Sequence, residues 1–368
     1  MTSIARLRYR PFRLPMRAPM QTARAAIAYR AGVLVELTDD SGQRGYGEAS
    51  PLPEFGEGDA DDVFRRVEER GGDLLGGIPD DLDGPGAPAL RCALDVAQLD
   101  MEGRQRGLPV AALLTEQPRS SVAANAVISD GPPEQALAQV REAWAAGFRT
   151  FKLKVAAKPP DDDVRRVQAI REALPNARLR LDANGGWDQP TATATLARLA
   201  TFDIELVEQP VPVGADEALA RIHRASSIRI AADEGVSSVE EGRRLLDAGA
   251  VGALVLKPMR LGGVRPALDL ARDAAERGVP CIVTTTFDSG VGVAAALHLA
   301  AAIPGVDALP DAAHGLATAE HLAADIVVEP PRPADGELAV PALGGLGVEI
   351  DPGALNAAAT GPWVAIDA

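Results

Sequence analysis

The chain has 368 residues, 46% of them hydrophobic, enough for two packed domains around a sizeable core. Its 37 basic and 52 acidic side chains leave a net charge of −15, which argues against a nucleic-acid or anionic-membrane partner. No apolar run approaches the roughly 18–20 residues of a membrane span. The opening stretch Met1–Met16 lacks the apolar segment of a signal peptide, so a soluble cytoplasmic protein is expected. Cys92 and Cys281 make no metal-ligand spacing and no disulfide framework, and read as buried thiols. An anionic substrate would need a locally positive site, such as a metal or paired lysines.

Residues 1 to about 115 read as one unit. Arg30–Leu37 alternates as a strand, and helical spacing follows at Asp61–Glu69 and Leu90–Gly103, with Gly- and Pro-rich loops including Gly45–Phe55. From about Ser121 short apolar strands alternate with Ala-rich helices. The predicted strands are Val122–Ile128, Phe151–Val155, Leu179–Asp182, Ile204–Glu208, Ile228–Asp233, Ala253–Lys257, Pro280–Thr285 and Val306–Leu309. The predicted helices are Pro133–Ala145, Asp161–Leu174, Thr191–Leu199, Ala215–Arg224, Val239–Ala248 and Val264–Arg277. A βα repeat of this kind implies a parallel sheet, and seven or eight units close into a barrel. An open doubly wound sheet fits less well, because no Gly-rich phosphate turn follows the first strand. From about Asp325 the text is again strand-like, and it is expected to pack back on the N-terminal unit.

The strand ends carry the chemistry. Lys154, Asp182, Glu208, Asp233 and Lys257 stand 28, 26, 25 and 24 residues apart, one βα unit each time. They should converge on the C-terminal rim, where barrel enzymes keep their sites. Three carboxylates in one mouth repel each other unless a cation intervenes. An all-oxygen set suits Mg²⁺ or Mn²⁺ rather than zinc. Of the flanking lysines, one can act as a base and the other can stabilise developing negative charge. A single Asp or Glu after a strand is more often a helix cap or a loop charge. The set in register with the repeat is what points to a site. His223, His298, His314 and His321 fit none of these positions, which favours lysine as the base.

Lys152-x-Lys154, Asp182-Ala-Asn184, Glu208-Gln-Pro, Ala-Asp233-Glu and Lys257 together resemble the enolase superfamily, in its muconate lactonizing branch. That resemblance implies a (β/α)7β TIM-like barrel over residues 119–324. It also implies an α+β capping domain over residues 1–118 and a tail, 325–368, packing on it. The superfamily's chemistry is proton abstraction next to a carboxylate by a Lys or His base, with Mg²⁺ supporting the anion. By resemblance Asp182, Glu208 and Asp233 are the metal ligands, Lys154 the base and Lys257 the cation on the opposite face. Lys152, Asn184, Thr284, Thr285 and Ser289 are expected at the substrate, under capping loops near residues 15–30 and 47–57.

Within the branch, Gly47–Phe55, Thr284–Gly290 and Gly315–Thr318 resemble the o-succinylbenzoate synthases, dehydratases of menaquinone synthesis. Dipeptide epimerases of the branch typically carry an Asp-x-Asp pair near the seventh strand, whereas this chain has only Asp288 there. Gly235 also departs from the common Ser after Asp-Glu. An N-acylamino acid racemase uses the same metal with both lysines as acid and base. A Schiff-base aldolase would leave three carboxylates unexplained. A non-catalytic barrel binding protein would leave all five rim residues so. The expected partner is a small carboxylate substrate, and a homo-oligomer is compatible with the sequence.

Overall fold

The computed structural model describes residues 4–21 and 26–368. Its strands, in chain order, are β1 (Ile4–Gln21), β2 (Ala26–Asp39), β3 (Arg44–Ala49), β4 (Ser121–Ala123), β5 (Asn125–Ile128), β6 (Thr150–Lys154) and β7 (Arg178–Asp182). There follow β8 (Ile204–Glu208), β9 (Arg229–Ala232), β10 (Ala253–Leu256), β11 (Cys281–Val283), β12 (Glu337–Ala339) and β13 (Val364–Asp367).

β1, β2 and β3 form an antiparallel sheet that the last strand completes, in the order β13-β1-β2-β3. Along β1 the buried residues Leu7, Tyr9, Phe12 and Leu14 face the core while Arg6 and Arg13 face water. Helices Ala60–Leu75 and Ala87–Arg106 cover this sheet. Contact between β3 and the second helix is backbone to backbone: a Cβ at Gly45 or Gly47 would fall on the carbonyl of Ala97 or Ala93. That close approach accounts for Gly45-Tyr-Gly47 in the strand.

β5 to β11 form a parallel sheet of seven strands in sequence order. Bridges from Thr284 to Gly315 and from His314 to Ala124 close it into a barrel. All six predicted βα helices, and the strands from β6 to β11, lie within two residues of their expected ends. Two expectations are corrected. Val306–Leu309 is not the eighth strand: it is a turn between Pro304 and Pro310, and His314-Gly315 fills that place. Val122–Ile128 is two strands, because Ala124 turns to His314 while β4 leaves the barrel to pair with β12. The tail therefore packs on both units, through β12 on β4 and β13 on β1.

Two barrel helices have their N-termini held by carboxylates of the N-terminal unit. Gly263 offers no capping side chain to helix Val264–Glu276, and buried Asp95 accepts from the N–H groups of Val264 and Arg265 instead. Glu48, at the end of β3, accepts from the N–H groups of Ser289 and Gly292 and from the Ser289 and Ser50 hydroxyls. Asp288 lies buried beside it. Burial, then the charge of Glu48, push the Asp288 carboxyl up to about 7, although Arg30 works against the shift. Asp325, which accepts from Gly290 N–H, is raised to about 6.

A carboxyl that is easier to protonate when folded stabilises the fold at low pH. Its contribution is complete below the unfolded value, ~4, and is lost as pH rises through the folded one. Asp288→Asn should therefore flatten the fall in stability between pH 4 and 7, read by urea unfolding at both ends. An unchanged slope would remove Asp288 as its source.

Candidate active site

Each site residue stands where an apolar strand runs out. In β6 the buried Phe151 and Leu153 face the helices, and Lys152 and Lys154 alternate with them toward the barrel axis. Parallel register then sets Lys154 beside Asp182 and Asp182 beside Glu208. Asp233 and Lys257 follow directly after β9 and β10. The five expected charges thus meet at one rim.

Lys152 Nζ lies 2.9 Å from Asp182 Oδ2 and 2.5 Å from Glu208 Oε2. Lys154 Nζ donates to the same Asp182 oxygen at 2.7 Å and to Asn184 Oδ1 at 3.0 Å. Lys257 Nζ donates to Asp233 Oδ1, and both side chains are buried. Burial disfavours a charged Lys152, but Asp182 and Glu208 outweigh it and push its pKa above the ordinary lysine range. Burial likewise works against the Asp182 carboxylate, and Lys152 and Lys154 overcome it, holding Asp182 well below the usual range. Lys257 goes the other way: burial, then the charges of Arg260 and Lys152, lower it well below an ordinary lysine.

Asp182, Glu208 and Asp233 each present a carboxylate oxygen within 4.8 Å of the other two, and all three residues are buried. Three converging carboxylate oxygens with no His or Cys fit a hard divalent cation such as Mg²⁺. Asn184 adopts a left-handed backbone (φ 44°), and its N–H donates to Asp182 Oδ1 at 3.0 Å. Its amide donates at 2.8 Å to Glu234, whose pKa is raised by burial and by Asp182.

The other expected contacts have protein partners. The Thr284 hydroxyl donates to Gly315 O at 2.9 Å, Thr285 and Thr318 share a hydrogen bond at 2.6 Å, and the Ser289 hydroxyl donates to Glu48 at 2.5 Å. Within the expected 47–57 loop, the Phe55 ring lies over Lys257 at 5.3 Å and over Arg260 at 4.6 Å. Glu57 accepts from Arg260 at 2.5 Å. The other expected loop falls partly on residues 22–25, which lie outside the described residues.

Three residues near the site were assigned no role from the sequence, although Gln209 and Glu234 stand inside its motifs. Buried Gln209 takes a left-handed backbone (φ 39°), and its Oε1 accepts from the N–H groups of Asp233 and Gly235, each at 3.1 Å. Glu234 and Arg260 follow Asp233 and Lys257 by one and three positions. Proximity to a strand-end charge was the only signal that could have marked them. The histidines are elsewhere: His298, lowered to about 4 first by burial, accepts from Ala111 N–H inside the core. Cys92 and Cys281 are buried free thiols.

The family described as "Enolase C-terminal domain-like" matches residues 135–354, and "MenC, N-terminal domain" matches residues 4–101. Muconate cycloisomerase 1 of Rhodococcus opacus is 31% identical over 352 residues, covering 92% of this chain and 93% of its own. An o-succinylbenzoate synthase of Thermobifida fusca is 40% identical over 260 residues, 68% of this chain and 78% of its own. Racemases and epimerases also occur among the relatives. The muconate lactonizing enzyme from Pseudomonas fluorescens, solved with muconolactone, matches with a TM-score of 0.89 at 26% identity, covering 97% of this chain and 99% of that one. A barrel with this rim and matches over both units place the chain among the enzymes of the enolase superfamily.

Proposed function

We propose that this enzyme is a Mg²⁺-dependent dehydratase that forms o-succinylbenzoate from its hydroxycyclohexadiene carboxylate precursor, in the cytoplasm, for menaquinone synthesis. The observation that carries the reading is the pair Lys154 and Lys257 facing each other across the carboxylate triad. β6 and β10 lie on opposite sides of the barrel, so a substrate between them meets one amine on each face. The likeness to the N-terminal family and to the Thermobifida fusca synthase supports this substrate over others.

When bound at Asp182, Glu208 and Asp233, Mg²⁺ would supply Lewis-acid stabilisation of the negative charge that develops as the α-proton leaves. Lys154 Nζ takes that proton. Burial works against a charged Lys257, and Asp233 Oδ1, which accepts from its Nζ, favours the cation. In that form it stabilises charge from the other side, and the substrate ring can present its face to it. Loss of the β-hydroxyl, with the proton returned from Lys154, releases water and leaves the aromatic ring. Lys152 holds Asp182 and Glu208 together beneath the reacting groups. Asn184 orients Lys154 through Oδ1.

The test is an ultraviolet assay of diene loss with the precursor, run with Mg²⁺ and with chelator. Fast, metal-dependent loss supports dehydration, and no turnover by a metal-loaded enzyme rejects it. Asp233→Asn should weaken Mg²⁺ binding by about tenfold or more in calorimetry, since a charged ligand is lost. Unchanged affinity would remove Asp233 from the ligand set.

One observation favours a second reading, racemisation of an N-acylamino acid. Lys257, on the strand opposite Lys154, offers a second amine that can return a proton on the other face, and an N-succinyl-L-Arg/Lys racemase of Bacillus cereus is among the relatives. Solvent deuterium entering the α-position of an N-succinylamino acid, with inversion, would support it.

A further inference from the structure

At the opposite end of the barrel from this rim, Arg119, Arg149 and Arg178 line a cavity of about 400 Å³ with Thr150, His314 and Glu337. Thr150 and Arg178 begin β6 and β7, so the cavity lies at the N-terminal ends of the strands. Asp311, Asp335 and Glu337 share the wall, yet among the described residues none of the three arginines forms an ion pair within 4.0 Å, and their side chains are hydrogen-bonded to backbone alone. Each bonds only through Nη1 and only to backbone. Arg119 donates to Ala300 O and Ile303 O, Arg149 to Trp144 O and Phe148 O, and Arg178 to Asp311 O. All three side chains are exposed, and Arg149 also stacks on Trp144 at 4.2 Å, so the Nε and Nη2 groups of Arg119 and Arg178 face solvent and are open to a ligand.

One layer deeper the pattern continues. Arg180, the next inward residue after Arg178 on β7, is wholly buried. Its Nε donates to Glu205 and its Nη1 to Ala313 O, but Nη2 has no acceptor. Asn125, the strand partner of Thr150, is buried with its Nδ2 unpartnered as well. Neither residue lines the cavity, but both stand directly behind its wall, next to Arg178 and Thr150, and add donors to this end of the barrel. Between this end and the rim, Leu206, Ala231, Val255 and Ile282 pack as an apolar cluster that reaches the cavity wall through Leu309.

We propose that this cavity binds a small oxyanion, a carboxylate or a phosphate, held by the free guanidinium N–H groups of Arg119 and Arg178. Fork-shaped donors of this kind suit oxyanions. The local field agrees: His314, in the same wall, is pushed down to about 3 by burial and then by Arg180 and Arg119. Asp311, Asp335 and Glu337 also line the cavity, which limits it to ligands of low charge. Because the loop before β12 forms part of the wall, an occupant would tie the tail to the barrel floor.

The experiment titrates phosphate, and separately acetate and succinate, into the full-length Mg²⁺-loaded enzyme and reads thermal stability against sodium chloride at matched ionic strength. One of these anions should stabilise the protein beyond the salt control, and whether it is phosphate or a carboxylate identifies the source. In the double variant R119Q/R178Q the apparent Kd for that anion should rise at least about tenfold, with turnover within about twofold of the parent. Equal stabilisation of parent and variant, or none with any anion, overturns the proposal. Should the variant fail to fold, selenate soaked into crystals of the unaltered protein gives the same decision. An anomalous peak between Arg119 and Arg178 supports the site, and ordered water alone in the cavity overturns it.

Discussion

Lys154→Ala is expected to lower turnover by about 10³-fold, within the range that a positioned general base contributes, with the fold and Mg²⁺ affinity retained. The two lysines of β6 are not equivalent. Lys152 is 14% exposed and lies against both Asp182 and Glu208, whereas Lys154 is 37% exposed and touches Asp182 and Asn184. Lys154 is thus the amine that a substrate can reach. Lys154→Arg should be nearly as inactive as the alanine variant. It keeps the positive charge, but a guanidinium does not give up its proton in proteins. Steady-state kinetics with circular dichroism and Mg²⁺ calorimetry on both variants checks this. An active arginine variant would show that only charge is needed at this position, and an active alanine variant would remove Lys154 from the chemistry.

Glu48→Ala is expected to cost about 3 kcal/mol of stability, since it strips acceptors from buried donors that cost ~1–3 kcal/mol each when unmet. Those donors are the N–H groups of Ser289 and Gly292 and the hydroxyls of Ser289 and Ser50. Removing the charge also relieves Asp288, which keeps the loss below the sum of its parts. Because Glu48 belongs to the N-terminal sheet and Ser289 to the barrel, the same change should loosen the loop at residues 284–289 and raise KM. Glu48→Gln, which keeps one acceptor oxygen, should lose less. Urea unfolding of the two variants decides the matter. A loss below about 0.5 kcal/mol for the alanine variant would mean that water satisfies these groups.

Most of the barrel and its rim was legible in the sequence because both are written locally. A strand of four or five apolar residues, a helix of three turns and a charge at the strand's end repeat about every 25 residues. Reading that period places Lys154, Asp182, Glu208, Asp233 and Lys257 without knowledge of any contact between them. β1 was harder to find, although Leu7, Tyr9, Phe12 and Leu14 mark its buried face. Three prolines and several arginines interrupt the pattern, and its partners β2 and β13 lie at very different distances along the chain.

The sequence by itself determined the βα order, the inward charges at the strand ends and the donor chemistry of the triad. These depend on side-chain alternation and residue type, which act over a few residues. Only the tertiary structure decided which stretch closes the barrel and that Val122–Ile128 divides between two sheets. It alone showed that Ser289 serves Glu48, and that Gln209 fixes the backbone around Asp233. Such outcomes turn on which distant backbone N–H groups are left unmet once the layers pack, and on which carboxylate lies close enough to accept from them. That is set by the packing of helix against sheet, and residue spacing along the chain does not encode it.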